Sequence, residues 1–310
     1  MTTRLRGVYA AAVTPFDDSG ALSVGQLAAE LEYLKSRGCT GVLIGGSTGE
    51  AQSLSVEERN SLAIEAAKLW ATEQMFLGTG AASIEDAIVL TKFAFDLNVA
   101  AVVVIPPFFF KNAPPEGLIE FYSTLVRRAV PSDGRVLLYN NPVLTSTEIN
   151  VGLVRILVDK FPKQVVGIKD SSSNLENTKV LCKIFTEISV FVGDDRLVLE
   201  SLQSGAAGAI TGISGVYPEL LVELFNAISD GEAAEGLQSR VAVTHQKFDG
   251  LPRIAAFKEL LVAGKILNNS AVRPPLCRLN DAEIRELKDR FNYGQTLSQI
   301  GLSALTGTVD

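Results

Sequence analysis

The sequence predicts an α/β protein built as a (β/α)₈ TIM barrel with a C-terminal helical extension. Eight short runs rich in Val, Ile and Ala recur every few tens of residues. They are near-continuously apolar, as parallel strands covered on both faces must be, whereas strands with one wet face would alternate. Longer amphipathic stretches separate them, long enough for the right-handed crossovers that parallel strands need. Eight such units within roughly 215 residues favour a closed barrel, with a doubly wound open sheet as the alternative. No G-x-G-x-x-G follows the first run, which weakens the dinucleotide-binding form of that alternative.

The predicted strands are Val8 to Val13, Gly41 to Ile44, Met75 to Gly78, Ala100 to Ile105, Val136 to Tyr139, Val165 to Lys169, Val190 to Val192 and Ala209 to Thr211. Helix signals fill the gaps. Ser23 precedes Gln26 in capping-box spacing ahead of Leu27, Leu31 and Leu34, with Gly38 as a stop, and Ser55 precedes Glu58 in the same spacing. Beyond Val216 only helices are predicted: Glu219 to Ile228 closes the barrel, and Ala233 to Lys247, Ile254 to Gly264 and Asp281 to Phe291 follow. The barrel is therefore assigned residues 1–230 and the extension 231–310. No composition shift or low-complexity tract marks a linker. From Asn292 the chain reads as a polar tail, packed loosely or against another subunit.

With 310 residues, 47% hydrophobic and 20% charged, the chain has the composition of a globular protein with a large core. No apolar run approaches the roughly 20 residues of a membrane-spanning helix. The segment Met1 to Arg6 carries no signal-peptide core, which points to the cytoplasm. Cys39, Cys182 and Cys277 are few and far apart, fitting buried thiols in a reducing compartment. His245 is the only histidine; a histidine-rich metal site is excluded, and its polar helical setting predicts a surface position. A net charge of −7 argues against a nucleic-acid partner.

Three polar groups stand at predicted strand ends. Lys169 closes Val165-Val166-Gly167-Ile168. Burial there disfavours an ammonium and favours the neutral amine, which attacks carbonyls to form a Schiff base. Gly45-Gly46-Ser47-Thr48-Gly49-Glu50 offers a sharp turn whose amides and hydroxyls suit a carboxylate. Tyr139, in Tyr139-Asn140-Asn141-Pro142, carries a phenol able to relay protons. Each also has a plain structural reading: a lysine reaching water, a strand-to-helix turn in which Thr48 or Glu50 serves the next helix, a core tyrosine with its hydroxyl at the rim. Their common place at C-terminal strand ends, where barrels build their sites, favours one shared site. Asp194 and Asp195 follow the seventh run, as ligands of hydroxyls or a metal, or as a turn and helix cap.

These motifs, with Val13-Thr14-Pro15-Phe16 and Gly167-Ile168-Lys169 in the same order, resemble the dihydrodipicolinate synthase and N-acetylneuraminate lyase family of pyruvate-dependent class I aldolases, from Gly7 to about Phe291. The resemblance implies that Lys169 forms an imine with pyruvate, Tyr139 shuttles protons, Ser47 and Thr48 hold the carboxylate and Thr48 joins the proton relay. It places the Ile210 backbone against pyruvate and Ser171, Gly193, Asp194 and Leu144 at the aldehyde end. It implies pyruvate and an aldehyde as partners, no metal or organic cofactor, and a homotetramer.

Five positions narrow the substrate. Leu144 stands where the synthases carry an arginine, and Phe109 where they lend a tyrosine hydroxyl to a neighbouring subunit. Ser47 and Ser171 follow the lyase branch, yet Gly212 replaces a serine of the sialic acid lyase. The expected substrate is a smaller 2-keto-3-deoxy sugar acid, with the run Phe108 to Phe110 leaving room for an apolar aldehyde. The rivals are the synthase reaction with aspartate semialdehyde and a barrel that binds without turnover.

Overall fold

Eight parallel strands close into a barrel in sequence order, the last returning to pair with the first. They are β1 (Gly7–Ala11), β2 (Gly41–Ile44), β3 (Met75–Gly78), β4 (Ala101–Val104), β5 (Val136–Asn140), β6 (Val165–Asp170), β7 (Ser189–Val192) and β8 (Gly208–Thr211). A computed structural model describes residues 4–291, so the tail expected from Asn292 lies outside the described residues. Every predicted run is a strand. β1 stops short of Val13 because the Val13 amide turns away from the sheet and donates to the buried Glu30 carboxylate at 2.8 Å.

Side-chain alternation divides the core in two. Leu137 and Tyr139 of β5 face inward with Leu43, Phe76, Phe191 and Ile210, while Val136 and Leu138 pack outward against the helices. Inside, Tyr9 stacks on Phe76 at 3.9 Å between centroids, and Phe191 meets Tyr9 edge-on at 5.6 Å. These rings fill the barrel below the strand ends.

Capping followed expectation at one helix and not at the other. Ser55 and Glu58 form the reciprocal box at the start of Val56–Leu69. Ser23 does precede the helix Val24–Ser36, but its hydroxyl accepts from the Gln26 side-chain amide and caps no backbone N–H. Gln26 is needed elsewhere, because its carbonyl oxygen accepts the Asn268 N–H of the C-terminal extension.

Pro218–Ser229 closes the barrel, and Glu235–Gln246, Arg253–Ala263 and Asp281–Phe291 form the extension. Leu260, Leu287 and Phe291 join the same outer core as the barrel strands. Arg273 ties the two together, pairing with Glu58 and donating to the Gly20 carbonyl at 2.8 Å. Cys39 and Cys182 are buried as expected; Cys277 is exposed, since it sits on the extension's surface segment. No helix among the described residues is long and apolar enough to cross a membrane.

Candidate active site

The C-terminal strand ends surround a cavity of about 850 Å³ whose walls include Ser47, Thr48, Tyr139, Lys169, Ser171 and Ile210. The strand register brings the key pair together: Tyr139 of β5 and Lys169 of β6 are Cα partners, and both point inward. Lys169 Nζ lies 4.2 Å from the centre of the Tyr139 ring. Both residues are only 5% exposed, so amine and phenol meet in a water-poor space.

Ser47 reaches this pair from the turn after β2. Gly45 adopts φ +65, a left-handed conformation that a side chain would strain, and this folds the chain back over the strand end. The turn closes with the Glu50 N–H donating to the Ser47 carbonyl at 3.1 Å, while Thr14 donates to the Gly49 carbonyl at 2.5 Å. Ser47 Oγ comes within 3.4 Å of the Tyr139 hydroxyl, and Asn141 donates to that hydroxyl at 3.0 Å. Burial alone would raise the Tyr139 pKa. The positive charge of Lys169 and hydrogen bonds from Ser47, Asn141 and Ser171 outweigh it and hold the phenol below its ordinary range.

The aldehyde-end residues also reach the cavity. Ser171 stands directly over Gly193, where an added β-carbon would displace the serine hydroxyl. Leu144 lies in the short helix Pro142–Thr145, which Asn141 caps, and is half exposed. Asp194 and Asp195 have different roles. Burial opposes the charge of Asp194, but hydrogen bonds from Arg196 and Ser173 more than offset it and lower its pKa to about 2. Both Asp194 oxygens accept from the Arg196 guanidinium, at 3.0 and 2.7 Å. Asp195 turns instead to His245, 3.5 Å away, and its other oxygen has no partner among the described residues.

His245 corrects the expectation of a surface histidine. It is 6% exposed, lines the cavity, and its Nε2 lies 3.1 Å from Arg253. The helix Glu235–Gln246 turns this one face inward, a choice that its polar local sequence does not reveal. Asp170 and Asn141 were also missed. Asp170 points away from the cavity and accepts from Asn140, Asn177 and Thr178 at 2.8–3.0 Å, pinning the end of β6 beside Lys169. Phe257 is another; it packs so closely over Gly212 that a side chain there would force the ring to move. Among the described residues no group of three or more His, Cys, Asp or Glu is placed to hold a metal.

The arrangement combines an amine, a phenol whose proton is made labile by that amine, and hydroxyl donors within one enclosed space. It can serve attack on a carbonyl with proton transfer nearby. The model of the dihydrodipicolinate synthetase family matches residues 4–292. The chain belongs to this family. Members of the dihydrodipicolinate synthetase family are class I aldolases and lyases, and the chain is an enzyme of that class.

An uncharacterized DapA-like lyase of Chloroflexus aurantiacus is 34% identical, over 92% of this chain and 96% of the relative. A 4-hydroxy-tetrahydrodipicolinate synthase of Methanothrix thermoacetophila is 31% identical, over 92% and 95%. Among solved structures, an E. coli K12 prophage protein of the same family, in complex with pyruvate, superimposes with TM-score 0.87 at 26% identity, covering 96% of this chain and 99% of the other. A Ruminococcus gnavus sialic acid aldolase, solved as a catalytic lysine mutant, gives TM-score 0.87 at 25% identity, covering 96% and 98%. Synthase and aldolase branches are thus both similar to this chain.

Proposed function

We propose that the enzyme reversibly cleaves a 2-keto-3-deoxy sugar acid to pyruvate and an aldehyde through an imine on Lys169. The observation that carries this reading is the buried Lys169 and Tyr139 pair, 4.2 Å from amine to ring centre, at the floor of the cavity. The amine adds to the keto carbon and water leaves. The imine then accepts the electron pair of the breaking carbon–carbon bond, the hydroxyl proton of the departing carbon is removed, and the aldehyde leaves. Tyr139 moves protons to and from the resulting enamine with Ser47, 3.4 Å from its hydroxyl, as relay partner in the place that the resemblance gave to Thr48, and hydrolysis frees pyruvate and Lys169. Ser47, Thr48 and the Ile210 backbone hold the pyruvate carboxylate end; Ser171, Gly193, Asp194 and Leu144 border the aldehyde. The scheme uses no metal or organic cofactor. A related structure with pyruvate bound and a related aldolase with a catalytic lysine support it.

The sugar-acid substrate rests on Leu144, which offers no guanidinium to a charged aldehyde, and on Ser171, whose hydroxyl faces the cavity. The second reading, condensation of pyruvate with aspartate semialdehyde, is favoured by the 31% identical synthase. The cytoplasm is the compartment that the sparse cysteines suggest, and a homotetramer is the assembly we assign. Phe109 and Phe110, 74% and 75% exposed and packed edge to face at 5.2 Å, form an apolar surface that a second copy would cover.

Borohydride reduction with pyruvate tests the chemistry. Mass spectrometry should find the pyruvate-derived mass on the Lys169 peptide, and Lys169→Arg should abolish it because a guanidinium stays protonated. A label on Lys111, or none, would end the imine proposal.

A further inference from the structure

Glu50 and Lys258 form an ion pair in which both side chains are fully buried, with Lys258 Nζ 2.5 Å from Glu50 Oε1. Glu50 belongs to the barrel turn that carries Ser47 and Thr48, whereas Lys258 belongs to the extension helix Arg253–Ala263. Glu50 is also held at φ +53, a left-handed conformation costly for a residue with a side chain. Its second oxygen accepts the Arg273 N–H at 2.9 Å, and Lys258 donates further to the Ala271 carbonyl at 2.6 Å. Two segments of the extension, the helix Arg253–Ala263 and the loop that carries Arg273, therefore grip one carboxylate.

A buried pair of this kind is an expensive way to gain stability, because desolvation offsets most of the attraction. Apolar residues of equal volume would pack the same space with less cost. What the pair adds is position. An apolar contact lets a turn slide, whereas a carboxylate held by an ammonium and a backbone amide has one location. Two residues upstream, Thr48 Oγ1 stands 3.7 Å from the point where a Gly212 side chain would begin, beneath Phe257. Phe257 is the immediate neighbour of Lys258, so one helix turn sets both the anchor of the turn and the ring above it.

We propose that Glu50 and Lys258 are positioning residues through which the C-terminal extension fixes Ser47 and Thr48 for recognition of the substrate carboxylate. This rests on the reading of Ser47 and Thr48 as the carboxylate site and of Lys169 as the imine-forming residue. The extension is then part of the binding apparatus, although neither member of the pair touches the substrate. Loss of the pair should weaken ligands that present a carboxylate and spare carbonyl compounds that do not, since Lys169 itself is held by β6 and the Asp170 network.

The test is borohydride trapping at Lys169 in wild type, Lys258→Met, and the double variant Glu50→Gln/Lys258→Met, which leaves neither charge of the pair behind without its partner and so protects against simple unfolding. Each is titrated with pyruvate and with hydroxyacetone, a ketone of similar size with no carboxylate. The half-saturating pyruvate concentration should rise about tenfold or more, as small misplacements of binding groups do, with hydroxyacetone trapping unchanged. Folded variants with wild-type pyruvate saturation would overturn the proposal. So would equal loss for both ketones, which would mean general damage. A wild-type enzyme that forms no pyruvate adduct at Lys169 would instead remove the aldolase reading beneath it.

Discussion

Lys169 Nζ faces the ring of its cross-strand partner Tyr139, so charge on the amine and charge on the phenol are coupled. Burial pushes the Tyr139 pKa up, and the neighbouring ammonium with its three hydrogen-bonding partners brings it below the ordinary tyrosine range. A phenol in this state gives up its proton more readily than one buried alone and takes it back from a nearby carbon. Tyr139→Phe should therefore lower kcat by roughly a hundredfold or more, as loss of a general acid or base does. The borohydride adduct with pyruvate should still form. Near wild-type turnover in the variant would remove Tyr139 from the mechanism.

The fold and the Lys169, Tyr139 and Ser47 cluster were legible in the sequence because each rests on local order: an apolar run, then a polar residue at its end. Parallel register then carried Tyr139 and Lys169 into contact. His245, Lys258 and Phe257 were not legible, because their helices come from the extension and their inward faces are chosen by packing against β-strand ends far away in sequence. Of the pair Asp194 and Asp195, the sequence points to Asp194 as the aldehyde-end carboxylate, and it is Asp194 that Arg196 engages. Only Arg196, two residues past Asp194, decides which carboxylate is already engaged.

Glu30 carries a second kind of coupling. Its carboxyl is fully buried, and desolvation outweighs the Val13 amide and the charge of Lys258, raising its pKa from 4.5 to about 8. The folded state thus holds a proton that the unfolded chain releases. Stability should fall as pH rises from about 4.5 and level off once the folded carboxyl ionises near 8. Glu30→Gln removes this titration, so its unfolding free energy from urea titrations should gain on wild type between pH 5 and pH 8.5, by an amount on the order of a few kcal/mol. A constant difference across that range would show that Glu30 does not titrate there.

The exposed Phe109 and Phe110 pair bears on assembly. Apolar area left in water costs roughly 25 cal/mol per Å², so two neighbouring rings gain substantially when a second copy covers them. Phe109→Ser with Phe110→Ser should shift sedimentation equilibrium toward smaller species, while Phe108, which lines the cavity, stays in place. A wild-type protein that is monomeric and fully active at micromolar concentration would contradict the homotetramer.

Substrate choice follows from the aldehyde end of the cavity. Leu144 and Phe108 present hydrocarbon there, and Asp194 is committed to Arg196. Ser171 over Gly193 presents the hydroxyl-binding group. A site of this kind rejects partners that leave its polar groups unpaired, and at Leu144 it has only hydrocarbon to offer the carboxylate of aspartate semialdehyde. Glyceraldehyde should be the better partner for pyruvate, by about tenfold or more in kcat/KM, the discrimination expected when a buried hydrogen-bonding group loses its mate. Gly193→Ala should narrow that preference, because the added methyl displaces the Ser171 hydroxyl. Equal or greater kcat/KM with aspartate semialdehyde would restore the synthase reading that the 31% identical relative represents.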